Sequence, residues 1–134
     1  MKLRNVMNRD RKWNILFIEQ EKSMFDSNTA IFNQLFNKVD KVLGTQEALK
    51  CIDSNAYDII VSDVSAEVVE GIILLKQLKE KKPDQTLFAL VSPKDTDKLF
   101  AIADLGVNAF ELTPEQFDLA LEEIAKFDPY EGKN

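Results

Sequence analysis

Three short runs constrain the fold more than any other feature of the chain: Ile15-Leu16-Phe17-Ile18, Ile59-Ile60-Val61 and Leu87-Phe88-Ala89-Leu90-Val91. None alternates apolar with polar residues. A strand with one wet face alternates, so unbroken runs of this length suit strands covered on both faces, as in a parallel sheet. Val39–Leu43 and Asn108–Leu112 are weaker strand candidates.

Between these runs the apolar residues follow helical spacing. One face is made by Met24, Phe25, Ile31, Phe32, Leu35 and Phe36, a second by Ala48, Cys51 and Ile52, and a third by Ile72, Leu75 and Leu78. Leu99, Phe100 and Ala103 predict a fourth. The fifth is the most regular, with Phe117, Ala120, Leu121, Ile124 and Ala125 at i, i+3, i+4, i+7 and i+8. Such stripes are core-facing, and Cys51 within one reads as a buried, inert thiol. Gly44-Thr45, Pro83-Asp84 and Gly106 supply the turn and cap signals between elements. The order is therefore strand–helix repeated five times, which implies a parallel sheet covered on both faces. Functional groups in such sheets gather at the carboxyl ends of the strands.

Composition narrows the chemistry. The chain of 134 residues has no histidine and one cysteine. Ser-His and Cys-His nucleophile pairs, imidazole metal sites and an internal disulfide are excluded, and the cytoplasm is the expected compartment. No apolar run approaches the ~18 residues of a membrane helix, and the start MKLRNVMNRDRK has no secretory pattern. The net charge is −6, yet Lys2, Arg4, Arg9, Arg11 and Lys12 against Asp10 give residues 1–12 a net of +4, leaving −10 for the remainder. An acidic body argues against nucleic-acid binding. The expected organisation is a basic, flexible N-terminal arm over 1–12, one domain over 13–128 and a C-terminal tail over 129–134.

At the strand ends stand Glu19-Gln20-Glu21, Ser62-Asp63, Ser92-Pro93-Lys94-Asp95 and Thr113-Pro114. Two carboxylates, an amide and hydroxyls converging on one edge suit a hard cation such as Mg²⁺. A carboxylate beside such an ion is a candidate nucleophile toward a phosphoryl group.

On these residues the chain resembles the CheY-like receiver domains of bacterial two-component response regulators, over residues 14 to about 127. NILFIEQE resembles the family's first strand with its acidic pair, and YDIIVSDVSAEVVEG the segment around the phosphoacceptor aspartate, with Gly71 eight residues after Asp63. LFALVSPKD resembles the fourth strand with its switch hydroxyl, and GVNAFELTP the fifth strand before its Lys-Pro pair. The resemblance implies a flavodoxin-like (βα)5 fold with a doubly wound, five-stranded parallel sheet. It implies Asp63 as phosphoacceptor, Glu19, Gln20, Asp63 and the Ser65 backbone carbonyl as metal ligands, and Ser92 and Phe110 as switch residues. Implied partners are a sensor histidine kinase or a downstream signalling protein, with a homodimer through the fourth helix, fifth strand and fifth helix as a further option.

Four departures from the family pattern point to a degenerate site. Gln20 replaces an acid, so Mg²⁺ is expected to bind weakly. Thr113 replaces the lysine that pairs with the phosphoryl group. Pro93 has no N–H to donate after the switch serine, and Ala66-Glu67 replace Met-Pro. The first two offset in charge: Glu19 and Asp63 without the lysine sum to −2, as do three carboxylates with it. Lys94, flanking the site, is a candidate substitute cation.

Simpler readings stand beside these. Ser92-Pro93-Lys94-Asp95 and Thr113-Pro114-Glu115-Gln116 are helix starts whose hydroxyls cap, each worth ~1 kcal/mol. Phe110 is explained by packing, Gly71 by crowding at a helix start, and Asp63 by a loop-anchoring role. Three functions follow: an atypical or pseudo-receiver acting through protein–protein contact without enzymatic activity, a response regulator that accepts a phosphoryl group on Asp63 slowly, and a flavodoxin-like small-ligand binder. Four glycines and no Gly-rich phosphate loop count against the last.

Overall fold

The computed structural model describes residues 12–19, 28–64, 68–111 and 113–131. Five strands form one sheet: β1 (Asn14–Glu19), β2 (Lys38–Leu43), β3 (Ile59–Asp63), β4 (Thr86–Val91) and β5 (Asn108–Glu111). Their order is β2-β1-β3-β4-β5 and every neighbouring pair is parallel. The helices are α1 (Thr29–Leu35), α2 (Gly44–Ser54), α3 (Val68–Lys81), α4 (Leu99–Asp104) and α5 (Phe117–Lys126), with 3₁₀ segments at Pro93–Lys98 and Pro114–Gln116.

The apolar runs are buried on both faces because alternate side chains feed two cores. Ile15, Phe17, Ile59, Val61, Phe88 and Leu90 pack against α1 and α5 through Phe32, Phe117, Leu121 and Ile124. Leu16, Ile18, Ile60, Leu87, Ala89 and Val91 pack against α2, α3 and α4 through Ile52, Leu74, Leu75, Leu78 and Ile102. Among the described residues, two helices thus cover one face and three the other. Each fully buried large side chain contributes roughly 1.5–3 kcal/mol, so these two layers dominate the folding energy.

Gly71 is required by packing. A β-carbon there would lie 2.3 Å from Val64 Cγ1 and 2.5 Å from Val64 Cβ, so α3 crosses close over the end of β3. Gly44 has φ +80°, the left-handed conformation that lets β2 turn directly into α2. The capping there differs from the Thr45 expectation: the Glu47 carboxylate accepts from the Leu43 N–H at 2.9 Å.

The expected face of α4 is corrected. Ile102 is buried, while Phe100 is 82% exposed and Ala103 is exposed. The cause lies upstream. Pro93–Lys98 winds as 3₁₀ helix, and Asp95 leaves helical geometry at φ −111°, ψ 25°. The α-helical phase therefore restarts at Leu99, which with Ile102 and Leu105 points inward. Cys51 is half-buried rather than buried. Met24, Phe25 and Leu112 lie outside the described residues.

At the amino-terminal edge of the sheet, Asp58 accepts from the Asn14 N–H at 2.8 Å and from the Tyr130 hydroxyl. Tyr130 packs edge-on against Trp13, with centroids 5.7 Å apart. Pro129 is buried. Nearby the Tyr57 hydroxyl donates to Asp40 at 2.6 Å, and burial followed by this carboxylate raises the phenol above its ordinary pKa.

Candidate functional site

The crossovers that place β2 on one side of β1 and β3 on the other create a switch point between β1 and β3, the place where open α/β sheets form a ligand crevice. Glu19 ends β1 and Asp63 ends β3, and the two are register partners. By strand alternation they share the face of Phe17 and Val61. Both are buried, Glu19 to 1% exposure and Asp63 to 8%. Burying a carboxylate is costly unless a partner or cation compensates it. Beyond Asp63, the Val64 N–H donates to the Leu90 carbonyl at 3.0 Å, holding this loop start against β4.

Ser92 follows β4 two residues after Leu90. It is the N-cap of the 3₁₀ segment: its side chain accepts from the Lys94 N–H at 3.3 Å and its carbonyl from the Asp95 N–H at 2.9 Å. Pro93 occupies the first turn, where a missing N–H costs no intrahelical bond. Lys94 is exposed and forms no ion pair among the described residues, so its substitute-cation role gains no contact. Phe110 is in register with Leu90, is half-buried, and stacks on Phe88 with centroids 5.8 Å apart and an interplanar angle of 12°.

Thr113 turns toward α5. Its N–H donates to Gln116 Oε1 at 3.0 Å and its hydroxyl reaches the same oxygen at 3.4 Å. The Thr113 hydroxyl, and then the backbone N–H of Glu115, hold the exposed Glu115 carboxyl below its ordinary pKa. Glu19, Asp63, Ser92, Phe110 and Thr113 thus stand along the carboxyl edge of the sheet, while Gln20 and Ser65 lie outside the described residues.

The donor chemistry fits a hard cation in part. Glu19 and Asp63 supply adjacent carboxylates, yet among the described residues no group of three or more His, Cys, Asp or Glu side chains converges on one point. Two features lie outside the strand-end pattern. The Thr96 hydroxyl shares its one proton between the Pro93 carbonyl at 2.7 Å and the Glu111 carboxylate, tying the segment after β4 to β5. The Ser62 hydroxyl, fully buried on the face opposite Asp63, has no hydrogen-bond partner among the described residues. A serine inside an otherwise apolar strand is the signal that points to it.

A doubly wound α/β domain with two acids at its switch point defines the class, and comparison with known proteins supplies the family. The response regulator receiver domain model matches residues 15–124, and the chain belongs to that family. Among relatives, the DNA-binding transcriptional regulator NtrC of Escherichia coli K12 is 29% identical over 73 residues, covering 54% of this chain and 15% of that protein. NtrC of Klebsiella pneumoniae is 27% identical over the same length and shares. The chain thus spans about 15% of the length of these curated relatives.

Solved structures share the fold. NtrX from Brucella abortus superposes with a TM-score of 0.71 at 16% identity, over 87% of this chain and 28% of that one. The receiver domain of the Francisella response regulator 1452 gives 0.68 at 19%, over 85% and 97%. The response regulator TrrA from Thermotoga maritima, in complex with Mg²⁺-BeF, gives 0.67 at 18%, over 84% and 96%. The chain is a receiver domain of two-component response regulators. Such domains exchange signals with histidine kinases and downstream effectors and typically bind Mg²⁺ at their phosphorylation site. No helix among the described residues is long and apolar enough to cross a membrane.

Proposed function

We propose that this receiver domain is an atypical or pseudo-receiver that signals through protein–protein contact; a response regulator that accepts a phosphoryl group on Asp63 with slowed chemistry is the alternative. The observation that carries the reading is the orientation of Thr113. At the position where the family holds lysine, the Thr113 N–H goes to Gln116, and its hydroxyl is shared between Gln116 and the Glu115 carboxylate. No ammonium stands there to meet a phosphoryl group. Gln20 in place of an acid and Pro93 in place of an N–H donor weaken the same chemistry. Transfer to Asp63 forms a bond from a carboxylate oxygen to phosphorus as the donor's P–O or P–N bond breaks. Its rate depends on positioning and on charge stabilisation around the phosphoryl oxygens.

Glu19, Gln20, Asp63 and the Ser65 carbonyl would hold Mg²⁺, weakly, because the set lacks one carboxylate. When bound, the ion supplies charge stabilisation to the phosphoryl oxygens. We assign the domain to 13–128, with a basic arm over 1–12 and a tail over 129–134 that begins packed on the domain through Pro129 and Tyr130, and place it in the cytoplasm. It acts without enzymatic turnover, through the face formed by α4, β5 and α5, toward a kinase or an effector.

Intact mass after treatment with acetyl phosphate or phosphoramidate and Mg²⁺ tests the reading, with Asp63→Asn as control. Slow and partial addition is expected. Rapid, stoichiometric phosphorylation of Asp63 supports instead an ordinary phosphoryl-accepting regulator.

A further inference from the structure

We infer that the domain carries a small-ligand site at the amino-terminal edge of the sheet, suited to an aromatic monocarboxylate, and that its occupancy holds the segment after α5 in place. The inference goes beyond the reading of the phosphorylation site and does not depend on Asp63, which stands at the other end of β3. A cavity of about 330 Å³ opens between the entry to β3, the turn from α3 to β4 and the residues after α5. Small-molecule sites occupy ~300–1,000 Å³, so this one suits a small ligand. Its walls carry rings. Tyr57 and Pro83 line it from the domain, Pro129 and Tyr130 from the carboxy-terminal segment. Tyr57 and Pro129 are buried, and Tyr130 packs edge-on against Trp13. Rings held in this way around one space suit a flat apolar group.

The polar groups in the lining decide the rest. The Gln85 amide N–H groups donate to the Tyr57 and Asp58 carbonyls at 3.1 and 3.3 Å, which leaves Oε1 as an unused acceptor among the described residues. The Thr86 hydroxyl and the Lys82 ammonium likewise have no partner among the described residues, and both residues are half-buried. Asp58 is already engaged: its carboxylate accepts from the Asn14 N–H at 2.8 Å and from the Tyr130 hydroxyl. The cavity therefore offers a ligand an ammonium, an amide oxygen and a hydroxyl beside ring-bearing walls. An ammonium without a counter-ion in a half-buried site favours a carboxylate. The charges of Asp58 and Asp84 in the same lining oppose a second negative charge, so a monocarboxylate fits better than a phosphate. Because Pro129 and Tyr130 form one wall, such a ligand touches both the sheet edge and the segment after α5. It binds the docked position of that segment and so populates it.

The test titrates the full chain with 4-hydroxybenzoate, with its neutral analogue 4-hydroxybenzamide and with inorganic phosphate. Amide chemical shifts map the site, and the fluorescence of Trp13, the sole tryptophan, reports the neighbouring Tyr130. 4-Hydroxybenzoate is expected to give saturable shifts at Lys82, Gln85, Thr86 and Tyr130, with a Kd of about 1 mM or tighter for a ligand of this size. The amide and phosphate are expected to bind about tenfold or more weakly. Lys82→Met should weaken 4-hydroxybenzoate about tenfold and leave the amide unchanged, with Lys82→Arg restoring most of the loss. Lys82 makes no side-chain contact to another polar group among the described residues, so both variants are expected to keep the wild-type melting curve. With 4-hydroxybenzoate bound, hydrogen exchange at the Tyr130 N–H, which donates to Asp128 Oδ1 at 2.9 Å, should slow several-fold. Absence of saturable shifts, equal binding of acid and amide, shifts confined to another surface, or an affinity indifferent to Lys82→Met would each overturn the site. Saturable binding with unchanged exchange at Tyr130 would overturn its hold on the segment after α5.

Discussion

Glu19 and Asp63 are register partners at the carboxyl ends of adjacent parallel strands, on one face of the sheet and both buried. Adjacent strands lie about 5 Å apart, so carboxylates at paired positions on one face repel each other where both are charged. Asp63→Asn removes one charge and keeps the shape. It is expected to raise stability at neutral pH, by about 1–3 kcal/mol in chelator, and to abolish any stabilisation by Mg²⁺. Urea unfolding with and without the metal checks this. A less stable Asn variant would show that the Asp63 carboxylate instead anchors its loop.

Mg²⁺ itself should stabilise the wild type weakly. At a concentration near its Kd, binding to the native state adds only about 0.4 kcal/mol. Calorimetry is expected to give millimolar or poorer affinity, tightened by Gln20→Asp, which restores the missing carboxylate. Tight stoichiometric binding to the wild type would sink the account of Gln20.

Gly71→Ala tests the contact that seats α3. The added carbon would overlap Val64 at its Cβ as well as its Cγ1, so no side-chain rotation clears it and backbone must move. The expected cost is about 1–3 kcal/mol, with the larger disturbance at the end of β3 beside Asp63. A variant as stable as wild type, with unchanged shifts at Val64 and Asp63, would show that the helix moves freely.

Much of this architecture was legible in the residues. Ile59-Ile60-Val61 reads as a two-sided buried strand because no polar residue breaks it, and β3 lies at the centre of the sheet. Strand ends then locate Glu19 and Asp63 without any long-range information. The α4 face was not legible: Phe100 reads as core by spacing, and only the 3₁₀ turn before it shifts the phase. Thr96 with Glu111, and Tyr130 with Asp58, meet across 15 and 72 residues of chain, a separation at which periodicity carries no signal. Gln20 and Ser65 are placed at the site by resemblance alone.

The buried Ser62 hydroxyl makes a simple prediction. A hydroxyl removed from water without a partner costs about 1–3 kcal/mol, and alanine at the same position leaves only a small void. Ser62→Ala is expected to be neutral or up to about 1 kcal/mol stabilising. A loss of more than about 1 kcal/mol would show that the hydroxyl is bonded in solution.

Tyr57 sets an alkaline limit. Burial and the Asp40 carboxylate raise its pKa in the folded protein above the ordinary value of 10.0. Above that ordinary value the unfolded chain releases the proton while the folded chain keeps it. Stability is therefore fully present below pH ~10 and falls as pH rises beyond it. Tyr57→Phe should start less stable, having lost the bond to Asp40, and decline less steeply from pH 10 upward. Melting curves across that range report both effects, and equal slopes for the two proteins would refute the assignment.

Rescue of phosphoryl transfer is the sharpest test of the site. Two stabilisers missing from this edge can be restored together, an ammonium by Thr113→Lys and a metal carboxylate by Gln20→Asp. Thr113→Lys keeps the backbone N–H that Gln116 accepts from, so the loss is confined to the hydroxyl contacts, with Gln116 at 3.4 Å and with Glu115. Removing one charge-stabilising donor from an active site typically costs about 3 kcal/mol of barrier, roughly two orders of magnitude in rate. The double variant is therefore expected to take up a phosphoryl group from acetyl phosphate at least about a hundredfold faster than wild type, with less than additive gain because both groups act on the same oxygens. Either single change should help less. Thr113→Lys alone offsets the carboxylates without improving the metal site, and Gln20→Asp alone adds a third carboxylate without a counter-cation. Time-resolved intact mass separates these cases. If the double variant stays as slow as wild type, the missing N–H at Pro93 is the dominant block, and Pro93→Ala in the same background should then release it.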